Sequence, residues 1–147
     1  MKNEKNNNVY VYGTLMFDSV LNRIINGNPK KIIANAKGFK RLKVKNEDYP
    51  GLIRCKDIGS ESFVNGVLLL DVSEEDIARL DSFEADCYLR ESIDVHDEGG
   101  NLLTAYAYIV RQEFEHTLSD EEWDAEEFNS NGIERFSTNY DRFPDVK

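Results

Sequence analysis

Gly66-Val67-Leu68-Leu69-Leu70-Asp71 is a continuous apolar run closed by an acid. Such a run reads as a strand buried on both faces. Directly behind it, Ser73-Glu74-Glu75-Asp76 has the form of a capping box, with an acid three residues after the serine. The helix it opens places Ile77, Leu80 and Glu84 at i, i+3 and i+7, on one face. With 147 residues the chain is the size of one domain. A chain of that length buries roughly 70% of the surface its unfolded form exposes, so it needs neither metal nor disulfide to hold together.

The remaining elements mix strands with helices, which puts the chain in the α/β class. Val9-Tyr10-Val11-Tyr12 is β-branched and aromatic and reads as a short strand that Gly13-Thr14 breaks. From Asp18 the pattern turns helical through Val20, Leu21, Ile24 and Ile25, with Asp18 as the cap and Gly27 and Pro29 as the stop. Ala36 to Val44 and Tyr49 to Ile53 read as strands joined by a polar turn, and the Tyr49-Pro50-Gly51 step suits an edge or a bend better than a sheet centre. Tyr88 to Val95 and Leu102 to Val110 alternate and flank a Gly-rich turn, the pattern of a hairpin. Ser119-Asp120-Glu121-Glu122 reads as a second capping box, opening a short helix with Trp123 and Phe128. The aromatics from Phe136 to Phe143 are expected to pack back on the domain. With no repeat and no linker, residues 1–8 read as a disordered leader and 9–147 as a single domain.

Acids outnumber bases 28 to 18, a net charge of -10, and no basic stripe interrupts them. That balance disfavours phosphate backbones and anionic lipid, so nucleic acid is not an expected partner. The first residues lack the apolar core of a signal peptide, and no run approaches the ~20 apolar residues of a spanning helix, so no membrane is expected. Cys55 and Cys87 form no CxxC pair and read as reduced thiols of a cytoplasmic protein. His96 and His116 stand alone, without a visible metal-ligand set. Neither a dinucleotide fingerprint, a P-loop nor a G-x-S-x-G elbow is present. Oligomeric state is not legible.

Two places could carry chemistry. A carboxylate on the apolar face of a helix is desolvated, which raises its pKa and suits it to accept a proton from an ammonium near neutrality. Glu84 has that position if the helix reaches it; if the helix ends at Phe83, Glu84 is an exposed terminal acid, and periodicity leaves both open. The second place is the strand-turn-helix from Tyr10 to Asp18. Unpaired N–H groups at a helix start beside a glycine make an anion site, here Gly13, Thr14, Leu15 and Met16, although many such turns bind nothing. Tyr10, Tyr12, Tyr106 and Tyr108 read first as core aromatics. Tyr88, four residues after Glu84, stands out as a ligand contact, and Arg90 on its strand face could pair a buried acid.

The order of these pieces resembles the gamma-glutamylcyclotransferase-like family, in its AIG2-like and gamma-glutamylamine cyclotransferase branch. The matching segments are Val9 to Met16, Tyr49-Pro50-Gly51, Gly66 to Asp71, Leu80-Asp81-Ser82-Phe83-Glu84, Tyr88-Leu89-Arg90 and Ala105-Tyr106-Ala107-Tyr108, spanning Val9 to Val110. The resemblance implies a small mixed β-barrel flanked by helices. It implies a substrate cradle of Tyr12, Gly13, Thr14, Leu15 and Met16, with Glu84 as proton acceptor. It further implies cyclisation of a small γ-glutamyl amine or amide to 5-oxoproline, without a cofactor. The family usually has glycine after the glutamate, and here Ala85 stands there; at positive φ an alanine is strained by roughly 1 kcal/mol. A non-catalytic small-molecule-binding or regulatory module that keeps the pocket is the alternative.

Overall fold

A computed structural model describes residues 7–55, 62–84 and 87–132 of the chain. Its strands are β1 (Asn7–Val11), β2 (Lys30–Lys37), β3 (Phe39–Val44), β4 (Pro50–Arg54), β5 (Phe63–Val72), β6 (Tyr88–Asp97), β7 (Leu102–Val110) and β8 (Leu118–Glu122). The α-helices are α1 (Asp18–Leu21), α2 (Glu74–Glu84) and the single turn α3 (Ala125–Glu127). Five strands close a barrel in the order β1-β5-β2-β6-β7, while β4, β3 and β8 form a second sheet with β4 at its edge. Closure comes from a parallel pairing of β1 with β7, Val9 opposite Tyr106. The other barrel seams are antiparallel, so the barrel is mixed, as the resemblance implied.

Alternation along the strands divides the apolar residues into two cores. Tyr10, Tyr12, Leu68, Val95 and Ala107 fill the barrel interior. Val9, Val11 and Leu69 point the other way and pack under Leu21, Ile24, Ile77 and Leu80. The run in β5 is therefore apolar at both Leu68 and Leu69 because each core takes one of them, and both are fully buried. Gly66 has a steric reason: a Cβ there would stand 2.8 Å from the Tyr10 hydroxyl and 2.5 Å from the Val11 carbonyl. Without it the Tyr10 ring enters the barrel, and its hydroxyl donates to the Val64 carbonyl at 2.6 Å.

Several expectations need correction. The strand read as Ala36 to Val44 is two strands, broken at Gly38, whose φ of 83° favours glycine. β2 begins at Lys30, well before Ala36, pairing along its whole length with β5. The first helix is only Asp18–Leu21, and Ile24 and Ile25 are buried from the turns that follow. Asp18 does not cap it; Phe17 holds that position, and Asp18 pairs with Lys31. Residues 118–122 are strand β8 on β3, not a helix start, and Ser119 donates to the Lys43 carbonyl at 2.8 Å. The real cap is Asp124, which accepts from the N–H groups of Glu126 and Glu127. Asn7 and Asn8, read as part of a leader, lie in β1, where the Asn8 side chain accepts from the Asp71 N–H. Residues 1–6 and the Phe136–Phe143 segment lie outside the described residues.

Candidate active site

Helix α2 runs as far as Glu84, its last residue, which is half-buried rather than exposed. Its start is held by Ser73, whose hydroxyl accepts from the Asp76 N–H at 3.1 Å. Asp76 does not return the bond as a capping box would. Its carboxylate reaches across to the N–H groups of Asn26 at 3.0 Å and Gly27 at 2.9 Å and to Arg79 at 2.7 Å. Burial pushes this carboxyl up, but those three donors outweigh it and hold its pKa below the usual carboxylate range. At the other end of the helix, Asp81 accepts from the Tyr108 hydroxyl at 2.6 Å and from Arg90 Nε at 3.0 Å. The Arg90 guanidinium lies 4.4 Å over the Tyr106 ring. These bonds fasten the last turn of α2 to β6 and β7, and Arg90 meets Asp81 as its acid.

The facing wall is the turn after β1. Thr14–Met16 forms one turn of 3-10 helix, with the Met16 N–H donating to the Gly13 carbonyl at 3.0 Å. The N–H groups of Gly13, Thr14 and Leu15 have no backbone partner among the described residues. A Cβ at Gly13 would stand 2.7 Å and 2.8 Å from ring carbons of Pro50, so glycine here lets β4 come up against the turn. Tyr88 secures Pro50 from the other side, its hydroxyl donating to the Pro50 carbonyl at 2.8 Å. Arg41 on β3 donates through Nη1 to the Tyr12 carbonyl at 2.8 Å and to the Asn65 carbonyl at 3.1 Å.

Between the walls lies a narrow pocket whose atom-free space is about 410 Å³ including its mouth. Gly13, Thr14 and Leu15 line one side, Phe83 and Glu84 another, and Tyr10, Val11, Tyr12, Tyr49, Pro50, Tyr88 and Tyr108 the rest. Burial, and then the charge of Glu84, pushes the Tyr12 phenol well above its ordinary pKa. Burial likewise raises that of Tyr108, reinforced by its bond to Asp81 and the charges of Asp81 and Glu84. Both are neutral at physiological pH and have their hydrogens committed, Tyr12 to the Tyr108 carbonyl at 2.6 Å. Glu84 thus borders a pocket of neutral aromatics, backbone N–H groups and one proline.

Of the residues singled out from the sequence, Tyr12, Gly13, Thr14, Leu15, Glu84 and Tyr88 share this pocket. Met16 does not line it; its side chain packs with the helix-side core and its N–H is taken by Gly13. Ala85 lies outside the described residues. Sequence reasoning missed Arg41, which no local pattern marks, and Asp81, which was seen only as a motif letter. Pro50 was read as an edge signal, which it is, but its contact with Gly13 could not be seen. Among the described residues no three His, Cys, Asp or Glu side chains gather as metal ligands. Cys55 and Cys87 are free thiols, and no described helix is long and apolar enough to cross a membrane.

Comparison with known proteins agrees with this architecture. Residues 9–125 match the family model of gamma-glutamyl cyclotransferase, AIG2-like, a match that runs past Val110 and through β8. AIG2-like protein D of Arabidopsis thaliana is 30% identical over 130 residues, covering 87% of this chain and 82% of its own. The solution structure of an Arabidopsis thaliana protein shares the fold with a TM-score of 0.69 at 22% identity, over 95% of this chain and 91% of that one. A gamma-glutamyl cyclotransferase specific to glutathione from yeast shares it with a TM-score of 0.59 at 13% identity, over 97% of this chain and 90% of that one. With a family match over most of its length and the same barrel as these structures, the chain belongs to the gamma-glutamyl cyclotransferase, AIG2-like family, which includes cyclotransferases.

Proposed function

We propose that this protein cyclises a small γ-glutamyl amine or amide to 5-oxoproline and releases the amine. The observation that carries the reading is the convergence of Glu84 and the Gly13–Leu15 turn on one narrow pocket. In this mechanism the substrate's α-carboxylate lies on the N–H groups of that turn, an arrangement that suits an anion. Glu84 takes a proton from the α-ammonium, whose free pKa is roughly 8. The freed amine attacks the γ-carbonyl carbon of the same molecule and closes a five-membered ring. The bond from that carbon to the leaving nitrogen then breaks as Glu84 returns its proton to that nitrogen. The ring nitrogen sheds its second proton, again by way of Glu84, to the released amine, which leaves as an ammonium. Atoms and charge balance without a cofactor. The pocket contributes by holding the chain curled, since well-oriented intramolecular attack reaches effective molarities of about 10⁵ M or more. Neutral Tyr12 and Tyr108 suit this role, because they shape the wall without competing for the proton.

Glu84→Gln tests the assignment. The amide keeps the shape but accepts no proton, and a general base is worth about 10²–10⁴-fold. The expected result is loss of turnover by at least that factor, with 5-oxoproline binding and thermal stability near wild type. Wild-type turnover in the variant would remove Glu84 from the chemistry.

A further inference from the structure

We infer that Arg41 is a positioning residue for the substrate carboxylate, acting through the peptide bond between Tyr12 and Gly13. The inference rests on the reading of the Gly13–Leu15 turn as the carboxylate's seat. A trans peptide is planar, with its C=O and N–H pointing to opposite sides. The oxygen of this peptide belongs to Tyr12 and is held by Arg41 Nη1 at 2.8 Å; its nitrogen belongs to Gly13, which lines the pocket. Fixing the oxygen on the β3 side therefore aims the Gly13 N–H away from Arg41. No described backbone group competes for that N–H. A cation on the carbonyl also polarises the peptide and makes its N–H a stronger donor, because linked hydrogen bonds reinforce one another.

The setting of Arg41 is built to hold it in place. The same Nη1 also donates to the Asn65 carbonyl on β5, which bridges β3 to the barrel wall. The guanidinium lies 5.3 Å over the Trp123 ring, and the Trp123 indole N–H is tied to the Asp48 carbonyl at 2.8 Å. Burial lowers the pKa of this guanidinium from its ordinary value, and the charges of Glu122 and Asp124 oppose that shift. Strand β8 and the tryptophan after it thus become supports of the candidate site, although they lie outside the pocket. Arginine suits this place better than lysine because its planar guanidinium lies over the indole while its Nη1 donates to both carbonyls.

The test measures binding, not turnover, so it is independent of Glu84. Wild type, R41K, R41Q and R41M are titrated calorimetrically with 5-oxoproline and with its primary carboxamide, which lacks the negative charge. The expected result is that R41M loses about five- to tenfold in affinity for 5-oxoproline, the size of a charge-assistance effect on one hydrogen bond. Carboxamide affinity should change little, and R41Q and R41K should fall between the extremes. Should R41M lower the melting temperature, the ratio of the two affinities still decides, since general loosening weakens both ligands alike. An unchanged ratio in every variant overturns the role of Arg41 and leaves the pocket reading standing. Failure of the wild type to bind 5-oxoproline sinks the pocket reading and this inference together.

Discussion

At Gly13 an alanine would place its Cβ 2.7 Å and 2.8 Å from two ring carbons of Pro50. A proline ring cannot swing aside, so either the turn or β4 must move. Overpacking of this kind costs about 1–3 kcal/mol. Gly13→Ala is expected to lower stability by that amount in urea unfolding and to weaken 5-oxoproline binding by more than tenfold, because the wall displaced is the ligand's own. A variant that binds as wild type would place the carboxylate elsewhere. Residues differ in how far the sequence reveals them. Helix periodicity set Glu84 on the face of Ile77 and Leu80, both buried, only if the helix reached it; the period left that open, the resemblance favoured it, and α2 does end at Glu84. Gly13 was legible as a turn, but its steric reason lies 37 residues away in Pro50 and leaves no local trace. Arg41 reaches Tyr12 across 29 residues from a strand whose pattern reads as an ordinary polar face.

Element by element, legibility follows the locality of the forces. α2 was found because strand, cap and apolar face are consecutive, and the β6–β7 hairpin because its alternation is clean and its turn short. β8 was misread because Ser119-Asp120-Glu121-Glu122 has a cap's composition, while its strand form comes from pairing with β3, some 80 residues earlier. Barrel closure through the parallel β1–β7 seam is likewise a long-range fact. Asp76 illustrates both sides: its place in the cap motif was visible, but its bonds to Asn26 and Gly27 cross 50 and 49 residues. Its folded pKa is depressed, so its contribution to stability is present above the unfolded value near 3.8 and is lost as pH falls through the lower folded value. Asp76→Asn replaces one accepting oxygen with a donor that faces backbone N–H groups, which is expected to destabilise the fold by about 1–3 kcal/mol at pH 7. Urea unfolding of both forms across acid pH should show the gap closing in that window. A gap that persists unchanged to about pH 2 would mean that the carboxylate's charge is not what holds α2 to the loop after α1.

For the molecule as a whole, two cores share one barrel wall, and the pocket opens where they meet. Val11 and Leu15 reach it from the helix-side core, Tyr10 and Tyr12 from the barrel interior. The C-terminal part of the described chain closes the helix-side core: Phe128 is 1% exposed and packs against Phe17 and Trp123 at ring distances of 5.3 Å and 5.4 Å. Through Trp123 this segment bears on Arg41, and through Arg41 on the turn. The architecture thus brings a carboxylate, a set of backbone donors and an aromatic enclosure to one place, using residues from β1, β4, α2, β6 and β7. On the proposed function, this enclosure turns over a γ-glutamyl compound. The direct measurement is incubation of the wild-type protein with a panel of γ-glutamyl amines and amides, quantifying 5-oxoproline and the freed amine together by mass spectrometry. The expected result is one equivalent of each from at least one compound, formed over many turnovers and abolished by Glu84→Gln; binding of 5-oxoproline with no product from any compound would contradict it and leave a pocket that binds without catalysis.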